Sequence, residues 1–250
     1  MTNDEQMRLA VLIDADNSRH SIIEGLLEEV ATYGIASIKR IYGDWSSDSM
    51  RGWKEILLDY SLQPVQQYPY TRGKNATDMR MIIDAMDILY SDNMDGFCLV
   101  SSDSDFTPLA QRVRQDGLTV FGFGEAKTPK AFVRACDRFI YSDVLRTTDT
   151  DKADTPAPRR PASSSALKQD AKLVNWVRNA LEDAADDTGW ASLGIVGQKV
   201  GNNTPDFDPR NYGYKKLGEL IRAMQLFDID EREMPNSPAH NIYIRDKRRK

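Results

Sequence analysis

The chain has 250 residues, 40% hydrophobic and 28% charged, with 15 Gly and 11 Pro. This is the balance of soluble globular protein; it excludes collagen-like and wholly disordered chains and predicts one or two domains that need no disulfide or zinc staple. The net charge of −5 argues at first against a polyanionic partner, because phosphate backbones favour basic surfaces.

From the N-terminus, MTNDEQMRLA is acidic and polar, unlike a signal peptide. The apolar run 9–13 predicts a strand ending at Asp14. Ile22, Ile23, Leu26, Leu27 and Val30 have helical spacing and predict a helix over 21–33. Next come a strand at 35–42, a helix at 50–60 and a strand at 65–68. A helix over 78–89 is expected with Met79, Ile82, Ile83, Met86 and Leu89 on one face. Strands at 97–100, 118–123 and 139–140 alternate with helices at 106–113 and 131–135. Trp45, Trp53, Cys98 and Cys136 are expected in the core, the thiols reduced in a cytoplasmic setting. Short, wholly apolar strands alternating with helices predict an α/β fold, a mostly parallel sheet flanked by helices.

The segment 147–165, TTDTDKADTPAPRRPASSS, has no large apolar residue. It cannot bury enough surface to offset its ordering entropy, and reads as a flexible linker between domains at 1–146 and 166–250. Residues 1–146 hold 16 Lys and Arg against 22 Asp and Glu, whereas residues 166–250 hold 14 against 13. The excess acid therefore lies in the first domain. In the second, helices are expected around Leu173, Val174, Val177 and Leu181, over 193–200 and over 214–224. Strands at 226–229 and 241–244 complete a small winged-helix α+β outline. The chain ends in the basic string RDKRRK. The longest apolar runs fall far short of the roughly 20 residues that span a bilayer, so no membrane partner is expected.

Three strings carry chemistry. VLIDADNS puts Asp14 at a strand end, with Asp16 and Asn17 beyond it. FCLVSSDSDF puts Asp103 and Asp105 after the fourth strand, and KNATDMRM puts Asp78 at a helix start. Any one of these acids reads as a helix cap. Together, two strands of a parallel sheet end in carboxylates on the edge where such sheets bind ligands. Like charges gathered there raise one another's pKa unless a cation is present. Hard oxygen ligands suit Mg²⁺ or Mn²⁺. With only His20 and His240 in the chain, a histidine general base is not expected. The DxD of Asp14 and Asp16 also fits an aspartate-nucleophile phosphatase, while nucleotide-binding glycine loops are absent. Among nearby basic residues, Lys74 is the expected phosphate contact, in a loop beside Asp78. Arg112 and Arg114 are two apart and cannot face one groove together.

VLIDADN, KNATDMRMIIDAMD and LVSSDSDFTPLAQRVRQDGLTVFGFG resemble the NYN domain, a PIN-like nuclease fold of the LabA type, over most of residues 8–145. The resemblance implies that Asp14, Asp78, Asp103 and Asp105 are catalytic acids holding Mg²⁺ or Mn²⁺. It aligns Asn17, and Ser101 or Ser102, with polar family positions on the substrate side. The activity implied is metal-dependent hydrolysis of RNA phosphodiester bonds. Further on, LGIVGQKV and PDFDPRNYGYKKLGELI resemble the OST-HTH, or LOTUS, domain, which is associated with RNA or protein partners. There Arg210, Tyr212, Tyr214, Lys215 and Lys216 mix cations with aromatic faces, a set suited to phosphate contacts and base stacking. The expectation is a metal-dependent ribonuclease whose second domain binds RNA. A non-catalytic RNA-binding or protein-interaction adaptor is the alternative. PIN-like folds often pair, so the resemblance also allows a homodimer.

Overall fold

The computed structural model describes residues 6–67, 76–91, 93–145, 160–234 and 237–248. The chain divides into two compact units, Met1–Thr150 and Asp151–Lys250. In the first, β1 (Met7–Asp14), α1 (Ile23–Ala31), β2 (Gly34–Gly43), α2 (Arg51–Ile56) and β3 (Gln63–Gln66) follow in order. Then come α3 (Ala76–Tyr90), β4 (Gly96–Val100), α4 (Thr107–Gln115), β5 (Thr119–Gly124), α5 (Lys130–Ala135) and β6 (Arg138–Tyr141). The six strands form one sheet, ordered β3-β2-β1-β4-β5-β6 and parallel throughout. Side chains alternate between the faces of a strand, which is why β1 and β4 are apolar along their whole length. Leu9, Val11 and Ile13 pack with residues of α1 and α2, and Ala10 and Leu12 with residues of α3, α4 and α5. Trp53, Cys98 and Cys136 are buried as expected, and Trp45 packs at the edge of its cluster. The third strand lies two residues earlier than expected, and Tyr68 is outside the described residues.

The second unit holds α6 (Ser164–Gln169), α7 (Ala171–Ala184), β7 (Ala191–Ser192), α8 (Leu193–Asn203), α9 (Leu217–Met224), β8 (Phe227–Met234) and β9 (Ser237–Asp246). Leu173, Val177, Val196, Leu220, Ile221 and Ile244 form its core. The strands make a small antiparallel sheet, ordered β7-β9-β8. The hairpin outruns the expected strands because Asp228 and Asp230 alternate with Phe227 and Ile229, so a polar outer face continues the strand past its apolar residues. The short elements α6 and β7 had no apolar periodicity to announce them. Of the expected linker, residues 147–159 lie outside the described residues. Its last part is docked rather than free: the Ala162 N–H donates to the Tyr212 carbonyl at 3.0 Å. Ala162 also packs on the apolar cluster, and Ser163 caps α6 by accepting from the Ala166 N–H at 3.3 Å.

α3 departs from its expected orientation. Met79 and Ile83 are exposed, and Met81, Ala85 and Ile88 are buried instead. The helix is apolar around most of its circumference, so spacing alone could not select the inward face. Its buried face also carries one acid, Asp84. Asp84 accepts from the Tyr42 hydroxyl and from Arg40 Nη1 at 2.6 Å, both on β2. Burial, reinforced by Asp84, drives the Tyr42 hydroxyl pKa up. This network fixes the rotation of α3 against the sheet, and with it the direction of Asp78 in the first turn. Asp84→Ala leaves Arg40 and Tyr42 without their acceptor and is expected to destabilise the first unit by about 3 kcal/mol. Urea unfolding of the variant beside the wild type measures this.

Candidate active site

Successive crossovers leave the sheet on opposite sides of the β1–β4 pair, so the carboxyl ends of these strands flank a topological switch point. Asp14 closes β1 there and is fully buried. Its Oδ1 accepts from the Asp16 and Asn17 N–H groups at 3.1 and 3.2 Å. Its Oδ2 accepts from Asn17 Nδ2 at 2.8 Å and from Ser101 Oγ at 2.7 Å. Ser101, also buried, in turn accepts from the Asp103 N–H at 3.1 Å. One hydroxyl thus joins the end of β1 to the turn that follows β4. Asp103 Oδ1 accepts from the Asp105 N–H at 2.9 Å and caps the short 3-10 turn leading into α4.

These contacts bring three carboxylates together. Ligand oxygens of Asp78, Asp103 and Asp105 all lie within 4.8 Å of one another. Asp78 is buried, Asp103 half-buried and Asp105 exposed, so the set opens to solvent on one side. Burial, together with the charges of Asp14, Asp103, Asp105 and Asp16, pushes the Asp78 carboxyl up to about 6. Asp14 is also raised, chiefly by burial, against the lowering effect of its hydrogen bonds. Clustered oxygen donors whose own charges oppose one another fit a hard divalent cation such as Mg²⁺ or Mn²⁺. All four expected acids therefore meet at one sheet edge, but with different parts. Asp78 belongs to the close set, while Asp14 stands outside it with both oxygens engaged by protein donors.

The expected substrate contacts separate similarly. The Asn17 side chain and Ser101 hold Asp14, and Ser102 Oγ accepts from the Glu125 N–H at 2.8 Å. Lys74 lies outside the described residues. Arg112 pairs with Asp116 and Arg114 with Asp137. In the second unit, Arg210 Nε and Nη2 embrace the buried Asp208 at 2.6–3.0 Å. Tyr214 donates its hydroxyl to the Ala162 carbonyl at 2.7 Å. Tyr212 packs against the core, and burial pushes its hydroxyl up to about 12. All three are part-exposed and also tie a turn together; aromatic and basic residues at close spacing look alike in sequence whether they face solvent or hold a turn. Lys215 and Lys216 remain exposed. Sequence reasoning missed Asp84, although an acid at the spacing of Met81, Ala85 and Ile88 was a signal for it.

A six-stranded parallel sheet flanked by helices, with acids gathered at its switch point, is a PIN-like α/β domain. Residues 8–143 match the NYN domain, and the chain belongs to the NYN domain family. Residues 166–238 match the OST-HTH/LOTUS domain. NYN domains are nuclease-type domains, and OST-HTH/LOTUS domains bind RNA. Among solved structures, the chain is similar to a protein of unknown function from Vibrio parahaemolyticus, at 22% identity and TM-score 0.48, covering 56% of this chain and 96% of that one. It is similar to an uncharacterized protein from Nitrosomonas europaea at 35% identity and TM-score 0.28, covering 40% and 88% of the two chains. A protein from Chromobacterium violaceum shares 31% identity at TM-score 0.26, with 32% and 85% covered. No curated protein matches the chain. Among the described residues, no helix is long and apolar enough to cross a membrane.

The raised acids set a pH dependence. In the folded state Asp78 holds its proton to about pH 6, whereas the ordinary value is 3.8. The folded chain therefore binds more protons than the unfolded chain between these values. Without divalent ions, stability is expected to be highest below pH 4 with respect to this group and to fall as pH rises through 6. Asp78→Asn removes that contribution. Thermal unfolding between pH 4 and 7 in a chelator, repeated with excess Mg²⁺, measures the slope and its suppression by the ion.

Proposed function

We propose that the chain is a metal-dependent ribonuclease, cytoplasmic, that hydrolyses RNA phosphodiester bonds in its NYN unit and binds RNA through its LOTUS unit. The close approach of Asp78, Asp103 and Asp105 carries this reading. Asp78, Asp103 and Asp105 would hold Mg²⁺ or Mn²⁺, with Asp14 beside them. When bound, such an ion activates water for attack on phosphorus and offsets the charge on the transferring phosphoryl group. Asp14, held by Asn17 and Ser101, stands behind the set. Ser101 and the Asp105 N–H orient Asp103. Asp84 positions Asp78 through the rotation of α3. Lys215 and Lys216, exposed before α9, supply phosphate contacts in the second unit.

Labelled single-stranded RNA, incubated with the full chain and Mg²⁺ or Mn²⁺, is expected to be cleaved. Asp103→Asn should lower the rate by about 100-fold or more. Absence of cleavage with either ion, with RNA binding intact in the presence of chelator, favours the adaptor instead.

RNA affinity separates the two kinds of residue in the second unit. Lys215→Glu with Lys216→Glu should weaken binding about tenfold and lower its salt dependence, as lost phosphate contacts do. Tyr214→Phe should leave affinity unchanged and reduce the stability of the second unit by about 1 kcal/mol. Fluorescence anisotropy at several salt concentrations, with unfolding curves alongside, measures both.

A further inference from the structure

The turn after β5 builds a small polar niche at the same sheet edge as the acid set. Glu125 follows Gly124, the last residue of β5. Its N–H donates to Ser102 Oγ at 2.8 Å, and its carbonyl accepts from the Thr128 N–H and hydroxyl at 3.0 and 2.7 Å. Gly124 permits this close approach, since a Cβ there would stand 2.6 Å from the Ser101 carbonyl oxygen. The Glu125 side chain therefore projects from a fixed base. Asn17, Ser18, Arg19, Ser102 and Ser142 line the niche with it. The niche measures about 10 Å³, room for one water-sized group.

The charged pair in the niche is no stability device. Arg19 Nε stands 3.8 Å from Glu125 Oε1, outside hydrogen-bond reach, and the Arg19 side chain is 60% exposed. Such exposed pairs contribute little to stability. The second carboxylate oxygen takes Lys127 Nζ at 3.0 Å. Oε1 faces Arg19 across a gap that a single hydroxyl can bridge, donating to the carboxylate and accepting from the guanidinium.

The position of the niche identifies that hydroxyl. Asn17 lines it and also donates to Asp14. Ser102 lies between Ser101, which holds Asp14, and Asp103 of the acid set. Ile22, Val100 and Phe123 close the niche from the α1 side of the sheet, whereas Asp78 comes from α3 on the other side. A nucleic-acid strand crossing the edge over residues 101–103 would meet the acid set and the niche in succession. A nucleobase or a phosphate is too large for the niche, and a carboxylate repels a phosphate. The ribose 2′-hydroxyl fits by size and offers both donor and acceptor; it is also the group that tells RNA from DNA.

We propose that Glu125 and Arg19 form a 2′-hydroxyl site, which makes the chain select RNA over DNA at the bond it cleaves. This deepens the ribonuclease reading and rests on it.

Matched single-stranded RNA and DNA, and RNA carrying one deoxynucleotide at each position in turn, test this with the full chain and Mn²⁺. RNA should be cleaved about tenfold or more faster than DNA. One deoxynucleotide adjoining the cleaved bond should by itself cost about tenfold, the effect of one hydrogen bond to a charged group. Glu125→Ala should slow cleavage of RNA about tenfold, and the deoxynucleotide should then add no further loss. Its unfolding curve should match the wild type, because only exposed pairs are removed. A deoxynucleotide penalty that persists in Glu125→Ala overturns the proposal, as does equal cleavage of RNA and DNA. Arg19→Ala should also reduce the discrimination; equal slowing of both polymers would assign the niche to a phosphate and overturn the proposal. Failure to cleave either polymer counts against the ribonuclease reading instead, and binding then decides the niche. With Ca²⁺ in place of Mn²⁺, and with Lys215→Glu and Lys216→Glu weakening the second unit's hold, the chain should bind RNA more tightly than DNA. Glu125→Ala should lower that preference; no preference, or one indifferent to Glu125→Ala, overturns the proposal.

Discussion

A carboxylate with no solvent exposure stands at the end of β1, and its position constrains everything around it. Asp14 could not remain charged there without donors. Four converge on it: the N–H groups of Asp16 and Asn17, the Asn17 amide and the Ser101 hydroxyl. Three of these come from the turn after β1, and the fourth crosses to the segment after β4. Ser101 passes the constraint on by accepting from the Asp103 N–H. The end of one strand thereby sets the backbone from which Asp103 and Asp105 project.

The parallel sheet explains why this can happen between residues about 90 positions apart. β1 and β4 are adjacent and run the same way, so whatever follows each strand emerges at a common edge. α3 adds Asp78 from above the sheet, with its rotation held by Asp84, Tyr42 and Arg40. The excess negative charge of the first region is then more than a compositional fact. Part of it is concentrated around Asp78, whose carboxyl is pushed up by burial and by the neighbouring carboxylates, an arrangement that a divalent cation relieves. The net charge of −5 does not exclude a polyanionic partner under those conditions. The second unit has exposed lysines of its own, Lys215 and Lys216.

Much of the fold could be read from the chain because each signal had a single structural meaning. Short apolar strands such as 9–13 and 97–100 can be buried on both faces only in a sheet covered on both sides. Asp14, Asp103 and Asp105 directly follow such runs, so their place at the carboxyl edge was legible. Their division of labour was not. Whether Asp14 or Asp78 joins the close set depends on which donors occupy Asp14, and Ser101 reaches it from 87 residues away. Signals with two meanings were harder to read. α3 is apolar on opposite sides, and one stripe faces the core while the other faces outward. Arg210, Tyr212 and Tyr214 suit RNA contacts by residue type, and they also hold a turn and the segment at Ala162.

The central claim is that Asp78, Asp103 and Asp105 form a divalent-ion site at the β1–β4 switch point. Anomalous scattering from crystals of the full chain grown with Mn²⁺ tests it most directly. A Mn²⁺ peak within direct coordination distance of oxygens from at least two of these three acids is the expected result. A well-ordered set of these carboxylates with no Mn²⁺ peak among them, at an ion concentration in the millimolar range, would contradict it.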